Sequence, residues 1–112
     1  MVCPGIRREV PIARDRRTLV VIDQSVADSF GKDVAESLLA QGVPVATFSI
    51  EANESAKSLG TVGRILDAAL AHRLDRGGVL VSVGGGITGD LVGCSAALHL
   101  RGVELVHVPT TL

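Results

Sequence analysis

Eight residues hold the most readable chemistry in this chain: Val83-Gly84-Gly85-Gly86-Ile87-Thr88-Gly89-Asp90. They satisfy G-x-G-x-x-G between an apolar β-type run and a helix of small residues, the setting in which backbone N–H groups approach a phosphate. Without Cβ atoms, Gly84 to Gly86 are free to take positive φ and let a pyrophosphate rest on the main chain. The helix that follows offers unpaired N–H donors and about half a unit of positive charge. The plain alternative is a glycine turn that only packs helix on strand. In a dinucleotide fingerprint an acid follows about 20 residues after the loop to take the ribose hydroxyls. Here that place falls at Pro109 to Thr111, with no acid. Asp23 is the better ribose partner, because it ends the first strand-like run, where ligand crevices open in α/β sheets. Asp90, expected in the first turn of the helix, either complements the helix dipole or holds a ligand's hydroxyl or amide. Thr110 and Thr111 follow the last strand-like run and share the same carboxyl edge.

Four apolar runs must position these groups: Thr18 to Ile22, Pro44 to Phe48, Val79 to Val83 and Glu104 to Val108. Their continuous apolar character predicts central strands covered on both faces. Between the first two, Val26, Phe30, Val34, Leu38 and Leu39 form a helical stripe. Gly31 interrupts it, as one helix or two short ones meeting there, and Gly42 supplies the stop. Val62, Ile65, Leu66, Ala69 and Leu70 define a second amphipathic helix, with Ser58 as its N-cap and Gly77-Gly78 turning into the next strand. A third helix is expected from Thr88 to Leu100, ended by Gly102. Its Gly89, Gly93, Ser95, Ala96 and Ala97 would let it lie close to the sheet. The order βαβαβαβ predicts a Rossmann-like, doubly wound, mainly parallel α/β sheet over residues 18–112, behind a basic segment 1–17.

Apolar residues make up 46% of the chain, with two Phe and no Trp or Tyr, so the core must be aliphatic. A net charge of −1 offers no general argument for nucleic acid or membrane. The basic segment (Arg7, Arg8, Arg14, Arg16 and Arg17 against Glu9 and Asp15) reads as a solvated end, its acids being unlike a transit peptide. Cys3 and Cys94 form no disulfide framework, which fits a reducing cytoplasm. No apolar stretch reaches the roughly 18 residues of a membrane span. His72 is expected on the solvent face of a helix, His99 near a helix end and His107 in a strand, without metal-ligand spacing.

Taken together, Gly84 to Gly93, Leu100-Arg101-Gly102-Val103 and Val108-Pro109-Thr110-Thr111-Leu112 resemble 3-dehydroquinate synthase and its sugar-phosphate cyclase relatives. Glu54-Ser55-Ala56-Lys57-Ser58-Leu59 resembles that family's E-x-x-K-S-L element, and Asp23, ahead of Val26-Ala27, its first-strand acidic position. The resemblance covers about residues 18 to 112 and implies an NAD-binding N-terminal domain. Carried over by position, it implies that Asp23 holds the adenine ribose and that Glu54 and Lys57 line the cofactor cleft. Gly85, Gly86 and Ile87 would cradle the pyrophosphate, and Asp90 would contact the nicotinamide end. Thr110, Thr111 and Leu112 would pack on the cofactor.

In such enzymes NAD⁺ transiently oxidises a ring alcohol of a phosphorylated sugar acid, phosphate is eliminated, and the cofactor re-reduces the carbonyl before an aldol closure. A divalent metal, zinc or cobalt, polarises the alcohol and carbonyl. The family's metal ligands, a Glu and two His, and its substrate-binding lysines and asparagine lie past Leu112. The chain is therefore read as a fragment, inactive alone, of a cytoplasmic homodimeric enzyme acting on a small sugar phosphate. The implied reaction converts 3-deoxy-D-arabino-heptulosonate 7-phosphate to 3-dehydroquinate in the shikimate pathway. Cys94 stands where the family usually has Phe, and Ala52-Asn53 where it has Asp-Gly. These departures leave 2-deoxy-scyllo-inosose and valiolone-type cyclases open, while Asp90 leans toward dehydroquinate synthase. An iron-dependent polyol dehydrogenase shares the loop, but Leu100-Arg101-Gly102 and Leu112 point away from it. A nucleotide-binding remnant without chemistry is the remaining alternative.

Overall fold

The computed structural model describes residues 16–51, 59–74, 77–98 and 103–110. The strands are β1 (Thr18–Asp23), β2 (Val45–Ile50), β3 (Val79–Gly84) and β4 (Glu104–Pro109). The helices are α1 (Lys32–Ala40), α2 (Leu59–Ala71) and α3 (Gly86–Leu98). All strand pairs are parallel, in the order β2-β1-β3-β4. The chain thus winds outward from β1 to β2, returns past β1, and continues through β3 to β4. The reversal lies between β1 and β3.

Side-chain alternation along the strands divides the core into two layers. On one face Val20, Ile22, Val79, Val81, Val83 and Val108 pack with Val34 and Leu38 of α1. On the other, Leu19, Val21 and Leu80 pack with Val62, Ile65 and Ala69 of α2 and with Leu91 and Val92 of α3. One helix on one face and two on the other is what right-handed crossovers require of this strand order. The sheet is the doubly wound α/β architecture expected from sequence.

Central position belongs only to two strands. All of β3, and β1 up to Ile22, are buried, whereas β2 and β4 are edges with alternating exposure. The apolar runs were alike because each strand packs on helices. Which strand has a neighbour on both sides is decided by sheet order, which run composition does not encode.

Local chemistry sets the helix limits. The stripe after β1 divides at Gly31: a 3-10 turn (Gln24–Val26) and a π turn (Ala27–Gly31) precede α1. A Cβ on Gly31 would lie 2.5 Å from Ile22 Cγ2, so the chain passes β1 too closely for a side chain there. At the end of α1, Gly42 takes φ 85°. Its N–H donates to Leu39 O at 3.0 Å and that of Val43 to Leu38 O at 3.1 Å, a Schellman closure. Helix α2 closes the same way without glycine, through Arg73 at φ 58° and Leu74 N–H donating to Ala69 O at 2.9 Å. Ser58 and Gly102 lie outside the described residues.

Four expectations need correction. Helix α3 starts at Gly86, two residues before Thr88, and Ala97 is exposed rather than packed on the sheet. His72 is half-buried at the end of α2, its Nε2 lying 3.3 Å from Pro44 O, because the Schellman turn folds it back toward β2. Arg16 is anchored: it donates to Gly77 O at 2.6 Å and Gly78 O at 3.2 Å and pairs with Glu104 at 2.6 Å. It joins the entries to β3 and β4. His107 is in β4 as expected, and His99 lies outside the described residues.

Candidate functional site

The carboxyl ends of β1, β3 and β4 meet where the winding reverses, and there a cleft of about 310 Å³ opens. In open α/β sheets ligands bind at that point, because the loops leaving adjacent strands diverge to opposite faces. Asp23 ends β1, and its carboxylate accepts the Ser25 N–H at 3.1 Å, capping the 3-10 turn. Ser25 and Val26 form that side of the cleft. Across from them lie Gly85, Gly86, Ile87 and Thr88, the bend and first turn of α3. Thr110 closes the third side, its N–H donating to Gly84 O at 3.1 Å.

The first helical hydrogen bond of α3 runs from Gly89 N–H to Gly85 O at 3.1 Å. Helix geometry leaves the amides of Gly86, Ile87 and Thr88 without an intrahelical acceptor. They face the cleft side of the dipole, where a negative ligand is stabilised. A Cβ on Gly86 would meet nothing within 4 Å. Gly86 therefore borders open space rather than a packing contact.

Gly84 uses the freedom the triplet offers, with φ 156°, and among the described residues neither Gly85 nor Gly86 has positive φ. Once Gly84 has turned the chain, Gly86 begins an ordinary helix.

Thr88 was not among the candidate residues, yet it is buried and its Oγ1 has no hydrogen-bond partner among the described residues. A buried hydroxyl left unpaired costs about 1–3 kcal/mol, so an orphan of this kind lining a cleft fits a site made for a polar ligand. Its signal in the sequence was faint: a hydroxyl three residues into a helix, with nothing local to say that it would be buried.

Residues 47–112 match the family model for the 3-dehydroquinate synthase N-terminal region. The chain belongs to the 3-dehydroquinate synthase family. It is 46% identical over 94 residues to a 2-deoxy-scyllo-inosose synthase of Streptoalloteichus tenebrarius, covering 84% of this chain and 24% of the relative. It is 41% identical over 97 residues to a 3-dehydroquinate synthase of a Nostoc species, covering 87% of this chain and 27% of the relative. Among solved structures, a 2-deoxy-scyllo-inosose synthase complexed with carbaglucose-6-phosphate, NAD⁺ and Co²⁺ superposes with a TM-score of 0.84 at 34% identity. That match covers 95% of this chain and 30% of the other. The chain thus spans about a quarter of the length of the curated relatives it matches.

Of the residues that family resemblance singled out, Asp23, Gly85, Gly86, Ile87 and Thr110 line the cleft. Asp90 does not: it is exposed, and because α3 begins at Gly86 it falls beyond the first turn. Glu54, Lys57, Thr111 and Leu112 lie outside the described residues. Ser25, Val26 and Thr88 line the cleft too, although the resemblance gave them no role. Among the described residues no three His, Cys, Asp or Glu come together as a metal cluster. Cys94 is a free, exposed thiol. No described helix is long and apolar enough to cross a membrane.

Proposed function

We propose that this chain is the NAD-binding N-terminal part of a sugar-phosphate cyclase. The whole protein would convert 3-deoxy-D-arabino-heptulosonate 7-phosphate to 3-dehydroquinate with loss of phosphate, in the cytoplasm and as a homodimer. The observation that carries the reading is the cleft itself, in a chain of this family. A carboxylate at the end of β1 faces the open amides of α3 across the winding reversal, with the orphan Thr88 hydroxyl between them.

These residues fit a dinucleotide. The amides of Gly86, Ile87 and Thr88 would bind the diphosphate, and the Thr88 hydroxyl would find its missing partner on the ligand. Asp23 would accept from ribose hydroxyls, releasing Ser25 N–H or sharing with it. Glu54, Lys57, Asp90, Thr111 and Leu112 complete the proposed cofactor set. Bound NAD⁺ supplies a reversible hydride acceptor for a ring alcohol.

Calorimetric titration of the chain with NAD⁺ tests the reading, with saturable binding at one site expected. A flat titration, with the chain folded by circular dichroism, would remove the nucleotide assignment. For the substrate, phosphate release from the heptulosonate phosphate by the whole protein is expected. A second reading, a 2-deoxy-scyllo-inosose-type cyclase, is supported by the 46% identity to such an enzyme. A whole protein that forms that carbocycle and leaves the heptulosonate untouched would establish it instead.

A further inference from the structure

We infer that His107 is a positioning residue for the phosphate-binding turn of α3, an inference that rests on the nucleotide reading of the cleft. His107 lies in β4, on the face covered by α3, and touches two other elements that build the site, β3 and α3. Its Nδ1 is 2.5 Å from Oγ of Ser82, a fully buried residue of β3 two positions before Gly84. Its ring lies against the backbone of Gly89: a Cβ there would be 3.0 Å from His107 Cε1, 3.2 Å from Nδ1 and 3.4 Å from Nε2. Gly89 in turn makes the first hydrogen bond of α3, and Thr110, three residues after His107, is tied to Gly84 O.

One imidazole, itself exposed on the edge strand β4, therefore bridges β3 and the first turn of α3. A side chain at position 89 would keep α3 from approaching this closely. Loss of the ring would uncover this side of the turn and take from the buried Ser82 hydroxyl its partner. Binding groups must be held to about 0.5 Å by their supporting residues, so movement of this turn falls directly on the amides of Gly86, Ile87 and Thr88. His107 makes no contact with the ligand in this account. It acts through Gly89 and Ser82.

The test uses the full chain with His107→Ala and His107→Gln, the amide of Gln being able to pair with the Ser82 hydroxyl. Two quantities are read: NAD⁺ affinity by titration, and hydrogen exchange of the Gly89 and Thr110 amides without ligand. His107→Ala should weaken NAD⁺ binding about tenfold and speed exchange at both amides, leaving α1 amides such as Leu38 at their wild-type rates. His107→Gln should restore most of both. Wild-type affinity and exchange in His107→Ala overturn the inference, as does acceleration spread equally over α1. Should the wild-type chain bind no NAD⁺, the nucleotide reading falls and the link to binding falls with it. The exchange pattern then reports separately whether His107 orders the turn.

Discussion

The Cβ that Gly84 lacks would stand 2.6 Å from the hydroxyl oxygen of Thr88. Asp23 Cβ would be 2.9 Å from the same point. The ends of β1 and β3 and the start of α3 thus converge on a backbone atom that has room for hydrogen alone. Gly86, two residues on, has open space where its side chain would be.

The two glycines should therefore respond oppositely to alanine. Gly84→Ala is expected to lower stability by about 3 kcal/mol, from overpacking and an unfavourable φ. Gly86→Ala should leave stability unchanged or raise it by about 0.5–1 kcal/mol, because alanine favours the helix, while weakening NAD⁺ binding at least about tenfold as the methyl enters the ligand's space. Urea unfolding and NAD⁺ titration of the pair check both halves.

Thr88→Val separates ligand from fold. Removing a buried hydroxyl that has no partner should raise the urea midpoint, by about 1 kcal/mol of stability. The same variant should lose NAD⁺ affinity by about tenfold, since the ligand would no longer meet a donor there. A more stable protein with unaltered affinity would take Thr88 out of the binding set.

Asp23 does two jobs that two variants divide. Asp23→Ala removes the cap on Ser25 N–H and should cost about 1 kcal/mol in stability. It should also weaken NAD⁺ binding about tenfold. Asp23→Asn keeps a capping oxygen, so its melting temperature should stay near wild type while affinity still falls. Wild-type affinity in both variants would remove Asp23 from the ribose site.

Arg73 sits at φ 58° in the closure of α2, a conformation that costs side-chain-bearing residues about 1 kcal/mol relative to glycine. Arg73→Gly is expected to raise stability by about 0.5–1 kcal/mol with no change in NAD⁺ affinity. Thermal unfolding reads the first, titration the second.

Short-range features were legible in the sequence. The runs beginning at Thr18, Val79 and Glu104 became strands, the stripe between β1 and β2 broke at Gly31, and Gly42 closed α1, since each depends on residues within a few positions. The glycine loop was legible for the same reason, its Gly85, Gly86 and Ile87 being adjacent in sequence. Asp90 was misjudged by the same local logic, because a helix start two residues early shifts a side chain from the first turn to the second.

Composition and spacing by themselves determined an aliphatic parallel α/β sheet, and the family motifs pointed to the glycine loop that lines the cleft. Only the tertiary structure decided that β1 lies beside β3 with Ile22 level with Val83, which brings Asp23 to a loop some 60 residues away. It also decided that Thr88 is buried without a partner, that β2 and β4 are edges, and that His107 rests between Ser82 and Gly89. Helices and turns follow from hydrogen bonds and sterics between near neighbours, which one stretch of sequence contains. Burial and contact across strands depend on which distant segments share a layer, and that is settled only when the whole sheet packs.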